Sequence, residues 1–160
     1  MKNKSVLFMT QAAMIAAVYV VLTVLFAPFG FGEVQVRIAE ALTILPVFTP
    51  AAIPGLCIGC LIGNLIGGAV LPDIIFGSLA TLIGAYGTYL LRRQHRFLVS
   101  LPPILANTII IPFVLRYAYG LAIPIPFMML TVGLGECISC GALGMVLFST
   151  LEKYKHKIFL

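Results

Sequence analysis

Apolar residues along this chain come in runs long enough to cross a bilayer, separated by short stretches rich in proline, glycine or charge. A hydrocarbon core about 30 Å thick needs roughly 20 helical residues. Six apolar runs emerge when the chain is read against that measure, at about 5–27, 37–48, 51–71, 73–91, 97–117 and 126–151. The breaks between them carry residues that stop helices: Pro28-Phe29-Gly30-Phe31-Gly32 after the first run, Thr49-Pro50 and Pro54 around the start of the third, and Pro124-x-Pro126 before the last. The second run is too short to cross without tilting. The pattern predicts a single-domain, all-α integral membrane protein with six transmembrane helices spread over all 160 residues. Lys2 and Lys4 precede an apolar stretch of full spanning length with no small-x-small cleavage signal, so the first run is expected to stay as a helix.

Composition agrees. Hydrophobic residues make up 61% and charged residues 9%, with a mean hydropathy of +1.13, which excludes an ordinary water-soluble domain. The few charges are unevenly placed. Lys2, Lys4, Arg92, Arg93, Arg96, Lys153, Lys155 and Lys157 fall on one side of a six-span arrangement, and only Arg37 and Arg116 on the other. Positive residues gather on the cytoplasmic side, so both termini are expected there, in a cell membrane. The net charge of +5 then describes contact with anionic lipid headgroups and not nucleic-acid binding.

Acidic residues show the opposite bias. Glu33, Glu40, Asp73 and Glu136 fall on the outer side or inside the membrane, and only Glu152 at the cytoplasmic end. A carboxylate in the bilayer costs several kcal/mol unless it is paired or solvated, so these positions predict a polar cavity opening outward. Arg37 and Glu40 stand three residues apart, which suits either a salt bridge anchoring a helix start or, with Gln35, a set of donors and acceptors over a cavity mouth. Asn64 and Asn107 lie within the third and fifth runs, where each serves either an interhelical hydrogen bond or a ligand. Glu136, inside the sixth run, is the strongest functional candidate, whereas Asp73 also reads as a helix N-cap. Phe29, Phe31 and Tyr117 are placed to stack a ring near the outer mouth.

Small residues form two further patterns. Gly55, Gly59 and Gly63 repeat every fourth position, as do Ala12 with Ala16 and Ala13 with Ala17, giving faces that let helix backbones approach closely. The glycine face is expected to pack internally, while the alanine face could equally pack internally or receive another protein's helix. Cys57-x-x-Cys60 and Cys137-x-x-Cys140 have zinc-like spacing, but in apolar helices they read as small packing residues and not as a metal site or disulfides. Enzyme signatures are missing: the chain has no phosphate-binding loop, and its histidines, His95 and His156, lie in basic segments away from any nucleophile. No catalytic residue and no cofactor is expected.

The string Gln35-x-Arg37-x-x-Glu40-Ala-Leu-Thr43-x-Leu-Pro46, continuing through Pro54-Gly55-Leu56-x-x-Gly59 and Asn64 to Leu71-Pro72-Asp73-x-x-Phe-Gly77-Ser78-Leu-Ala-Thr81-Leu, resembles the queuosine-precursor transporter (QueT) family. The likeness extends more sparsely through Asn107 and Gly135-Glu136. The resemblance implies a six-helix S component, the substrate-binding subunit of an energy-coupling-factor (ECF) transporter. Such a subunit works with a transmembrane coupling subunit and two ATPase subunits, docking through an Ala-x-x-x-Ala surface. Ala12 with Ala16 and Ala13 with Ala17 both supply one. The ligand it implies is a 7-deazaguanine such as 7-aminomethyl-7-deazaguanine, or queuine.

That ligand sets chemical requirements. A deazaguanine offers a ring N–H beside an exocyclic amine, which one carboxylate accepts together, and a neighbouring carbonyl that needs a donor. Glu136 with Asn107, Asn64 or Gln35 meets both demands, and Asp73 or Glu40 would offset an aminomethyl cation. An S component for another vitamin, such as thiamine, riboflavin or biotin, would share the fold and docking face with other pocket groups, whereas a stand-alone carrier would need no ATPase partner.

Overall fold

The computed structural model describes residues 2–27 and 36–158, and all regular elements among them are helical. In order they are α1 (Lys2–Leu25), α2 (Ile38–Val47), α3 (Ala52–Ile66), α4 (Leu71–Leu90), α5 (Leu101–Tyr117), α6 (Ile125–Glu136) and α7 (Gly144–Ile158). A π-helical segment, Cys137–Leu143, joins α6 to α7 without a break, and a 3-10 turn, Leu98–Ser100, leads into α5. Four stretches are long and apolar enough to cross a membrane: Lys4–Leu25, Leu71–Leu90, Leu98–Tyr117 and Ile125–Lys155.

Prolines start three of these helices, at Pro72, Pro102 and Pro126, where a missing N–H costs nothing because the first turn has no partner for it. The third run is shorter than its predicted extent of 51–71. Helix α3 ends at Ile66, because Gly67 caps it and Gly68 turns the chain at a φ of +76°, which favours glycine. The sixth run is longer than predicted and is not uniformly α-helical.

The second run departs furthest from expectation. Helix α2 is a ten-residue 3-10 helix, whereas such helices seldom exceed one turn. Ala39 through Pro46 are all buried in it, and Pro46 removes one backbone donor near its end. It packs against α1, α3, α4, the π segment and α7, so it forms the axis around which the longer helices stand. Surrounding contacts therefore hold a winding that would be unstable alone.

Close approaches tie the outer helices together. At Gly55 an added Cβ would lie 2.7 Å from the Ala12 carbonyl oxygen, and at Gly59 it would lie 2.8 Å from the Tyr19 Cβ. Thus α1 and α3 meet backbone to backbone, as the glycine repeat predicts. Gly84 and Gly87 play the same part between α4 and α5, facing Pro103 and Pro102. Large apolar side chains such as Val6, Met9, Leu65, Ile109 and Val146 point outward, as suits a lipid-facing surface.

Candidate functional site

The 3-10 winding of α2 decides what its polar residues can reach. With three residues per turn, side chains at i, i+3 and i+6 stack in one column. Arg37 at the N-cap, Glu40 and Thr43 form such a column and face the bundle interior, where Glu40 and Thr43 are each 1% exposed.

Glu40 is the hub. Its Oε1 accepts hydrogen bonds from the Tyr19 hydroxyl of α1 and, at 3.1 Å, from the Thr81 hydroxyl of α4. Its Oε2 is buried and has no protein partner. Glu136, also buried, comes in from the end of α6, and the Cys140 thiol donates to its Oε2 at 3.1 Å. Cys140 also lies 3.4 Å from the Glu40 carbonyl oxygen and accepts from Thr43. The π segment begins directly after Glu136, and π insertions frequently mark functional sites. Asn107 of α5 stands beside both carboxyl groups, although its buried Nδ2 forms no well-aligned hydrogen bond.

A second group adjoins the first toward the α3–α4 turn. Arg37 Nη2 lies 3.6 Å from Asp73 Oδ2, which also accepts from the Tyr119 hydroxyl at 2.8 Å. Partial burial, reinforced by this hydrogen bond, pushes the Tyr119 phenol up to about 12, so it stays a donor near neutral pH. Asn64 reaches the same place: a Cβ on Gly77 would lie 3.1 Å from Asn64 Nδ2 and 3.2 Å from Asp73 Oδ1. Gly77 thus leaves the space these groups occupy. Asn64 and Thr81 both donate to the Cys60 sulfur, at 3.6 and 3.4 Å, which links the two groups into one network.

Six of the seven predicted ligand residues therefore converge: Arg37, Glu40, Asn64, Asp73, Asn107 and Glu136. Gln35 lies outside the described residues, as do Glu33, Phe29 and Phe31. The cap reading of Asp73 is corrected, because Val70 is the N-cap of α4, no side chain caps it, and Asp73 is buried against Arg37 and Tyr119. Tyr117 does not turn toward the site; it is 77% exposed, and Tyr119 takes the place expected of it.

Tyr19, Thr81, Cys60 and Cys140 join the network without having been singled out for it. All four lie in apolar helices, where spacing alone shows no ligand chemistry. The reading of all four cysteines as packing residues is revised for Cys60 and Cys140, whose thiols bridge polar side chains. All four cysteines are free thiols. Glu40, Glu136 and Cys140 each present one donor atom within 4.8 Å of the others. Three donor atoms fall short of the four-ligand shell of a structural zinc site.

The four alanines of α1 divide. Ala16 is buried and Ala12 is half-buried, both against the α3 glycines, whereas Ala13 and Ala17 are exposed in line with Met9 and Val21. Only the second pair presents an outward small-residue surface.

Within the network, three carboxyl groups and the Arg37 guanidinium come together, so the set suits a ligand that donates hydrogen bonds. The pocket beside Arg37 and Asn64, lined also by Tyr19 and Phe26, holds about 10 Å³, room for one water.

Comparison with known proteins bears on this arrangement. A family model described as QueT transporter matches residues 9–153. The queuosine precursor transporter QueT of Lactococcus lactis subsp. cremoris (strain MG1363) is 32% identical over 85 residues, a stretch covering 52% of this chain and 50% of that relative. The chain thus matches about half the relative's length. No solved structure matches the chain.

Proposed function

The chain belongs to the QueT transporter family, and from that premise we propose that it is the ligand-capturing S component of an ATP-driven ECF importer for a queuosine precursor. It is a transporter component and not an enzyme. In this reading six helices cross or enter the membrane, both termini are cytoplasmic, and ligand arrives at the opposite, outer end.

The observation that carries the reading is the buried pair Glu40 and Glu136 beside Asn107, with Glu40 Oε2 unpartnered. Glu136 accepts the ring N–H and exocyclic amine of a 7-deazaguanine, and the Asn107 amide donates to the neighbouring carbonyl. Glu40 faces the 7-substituent. Two carboxyls beyond the one matched by Arg37 favour the aminomethyl precursor, whose ammonium offsets their desolvation, over the uncharged nitrile. The space beside Arg37 holds only about 10 Å³, so binding of a bicyclic base requires the helices around Glu40, Asn107 and Glu136 to move apart. Exposed Ala13 and Ala17 form the docking surface for the coupling subunit, which with two ATPase subunits supplies the energy.

Thermal stability of the purified chain, measured against a ligand panel, tests this proposal. The aminomethyl deazaguanine is expected to give the largest rise in melting temperature, the nitrile a smaller one, and thiamine, riboflavin and biotin none. A larger rise with any of those three vitamins would move the chain to another substrate class. Uptake into liposomes by the chain alone would contradict the coupled mechanism.

A further inference from the structure

A cavity of about 720 Å³ lies at the end of the bundle rich in positive charge, not beside the carboxyl network. Its walls come from the end of α2, the α4–α5 connection and α7. Arg92, His95, Arg96 and Lys155 line it, with Glu152 the one carboxylate among the described residues. Among the described residues no carboxylate pairs with these cations; the ion pair found is Arg37–Asp73.

Arg92 is held in place. Its Nη1 donates to the Tyr89 carbonyl at 2.7 Å and its guanidinium sits 3.9 Å over the Tyr89 ring, so it meets an anion with little loss of freedom. The cavity also has an apolar side, where the Phe48 and Phe148 rings stand 5.3 Å apart. Within two residues of Arg92 or Arg96 along the chain, Leu90, Phe97 and Leu98 are exposed. Fixed cations, an apolar wall and outward-facing hydrocarbon together match an amphiphile.

We propose that this cavity binds the phosphate headgroup of an anionic membrane lipid, with the acyl chains lying along Leu90, Phe97 and Leu98. Basic pockets between membrane helices are suited to such headgroups, and a free anion would gain nothing from the apolar wall. The inference does not rest on the transport reading, since it needs only that this end of the bundle lie at a membrane surface.

Native mass spectrometry of the full chain, released from nanodiscs of phosphatidylglycerol mixed with phosphatidylcholine, tests it. Wild type is expected to retain phosphatidylglycerol preferentially. The double variant R92Q/R96Q should lose that preference by about tenfold or more, as expected for two phosphate-facing charges. Glu152→Gln should strengthen retention, a gain that a misfolded protein cannot produce. Millimolar inorganic phosphate should leave retention unchanged. Equal retention of both lipids by wild type, or an undiminished preference in R92Q/R96Q, overturns the proposal. Displacement of the lipid by inorganic phosphate would overturn the lipid assignment in favour of a soluble anion.

Discussion

Single residues set the chemistry of the carboxyl network. Glu136 can accept two neighbouring N–H groups through its two oxygens, whereas glutamine offers one acceptor and turns a donor toward the ligand. Glu136→Gln is therefore expected to cost ~2 kcal/mol, about thirtyfold in Kd for a deazaguanine, as measured by equilibrium binding. Gly77 makes a different prediction. A Cβ there would press on Asn64 and Asp73 at 3.1 and 3.2 Å, so Gly77→Ala should weaken ligand binding more than it lowers the melting temperature of the unliganded chain. The Tyr119 hydroxyl donates to Asp73 below about 12 and loses that bond only as pH rises through that value. Binding should accordingly show no loss attributable to Tyr119 between neutral and mildly alkaline pH, when Tyr119→Phe is compared with wild type. At this scale the sequence made the charged and amide members visible, because polar groups are rare and costly in apolar helices. Tyr19, Thr81, Cys60 and Cys140 were not visible, because their roles come from four different elements meeting around Glu40.

Helices and their contacts give these residues their positions. Prolines and glycines marked most element boundaries, so the runs and the described helices agree within a few residues at most ends. The winding of α2 was hidden. Three-residue spacing of Arg37, Glu40 and Thr43 fits one face of an α-helix loosely, and only burial on all sides holds the tighter coil. The π segment was hidden too, since nothing in Cys137–Leu143 forbids an ordinary α-helix. The glycine repeat announced an internally packed face on α3, though not that its partner is the alanine face of α1. Gly59→Val would force a side chain into Tyr19 and the Ala16 backbone, and is expected to cost about 1–3 kcal/mol of stability, read as a lower melting temperature. Replacing Gly141, which has open space around it, should not lower it comparably.

As a whole the molecule is polarised. Buried carboxyl groups and amides gather toward one end, a basic cavity lies at the other, and α1 turns a face of Met9, Ala13, Ala17 and Val21 to its surroundings. If that face receives the coupling subunit, Ala13→Trp with Ala17→Trp should abolish co-purification with the ECF module while leaving ligand affinity unchanged. Ala16→Trp should instead disturb the fold, because Ala16 packs against Gly59. The alanine pattern alone left the register open; the glycines of α3 resolve which pair faces inward. Capture of a cationic 7-deazaguanine through Glu136 and its neighbours is the proposal on which these expectations rest. Calorimetric titration of 7-aminomethyl-7-deazaguanine into the full chain in nanodiscs tests it most directly. Saturable one-to-one binding, weakened about thirtyfold by Glu136→Gln, is the predicted result; no binding to wild type, or equal affinity in the variant, would contradict it.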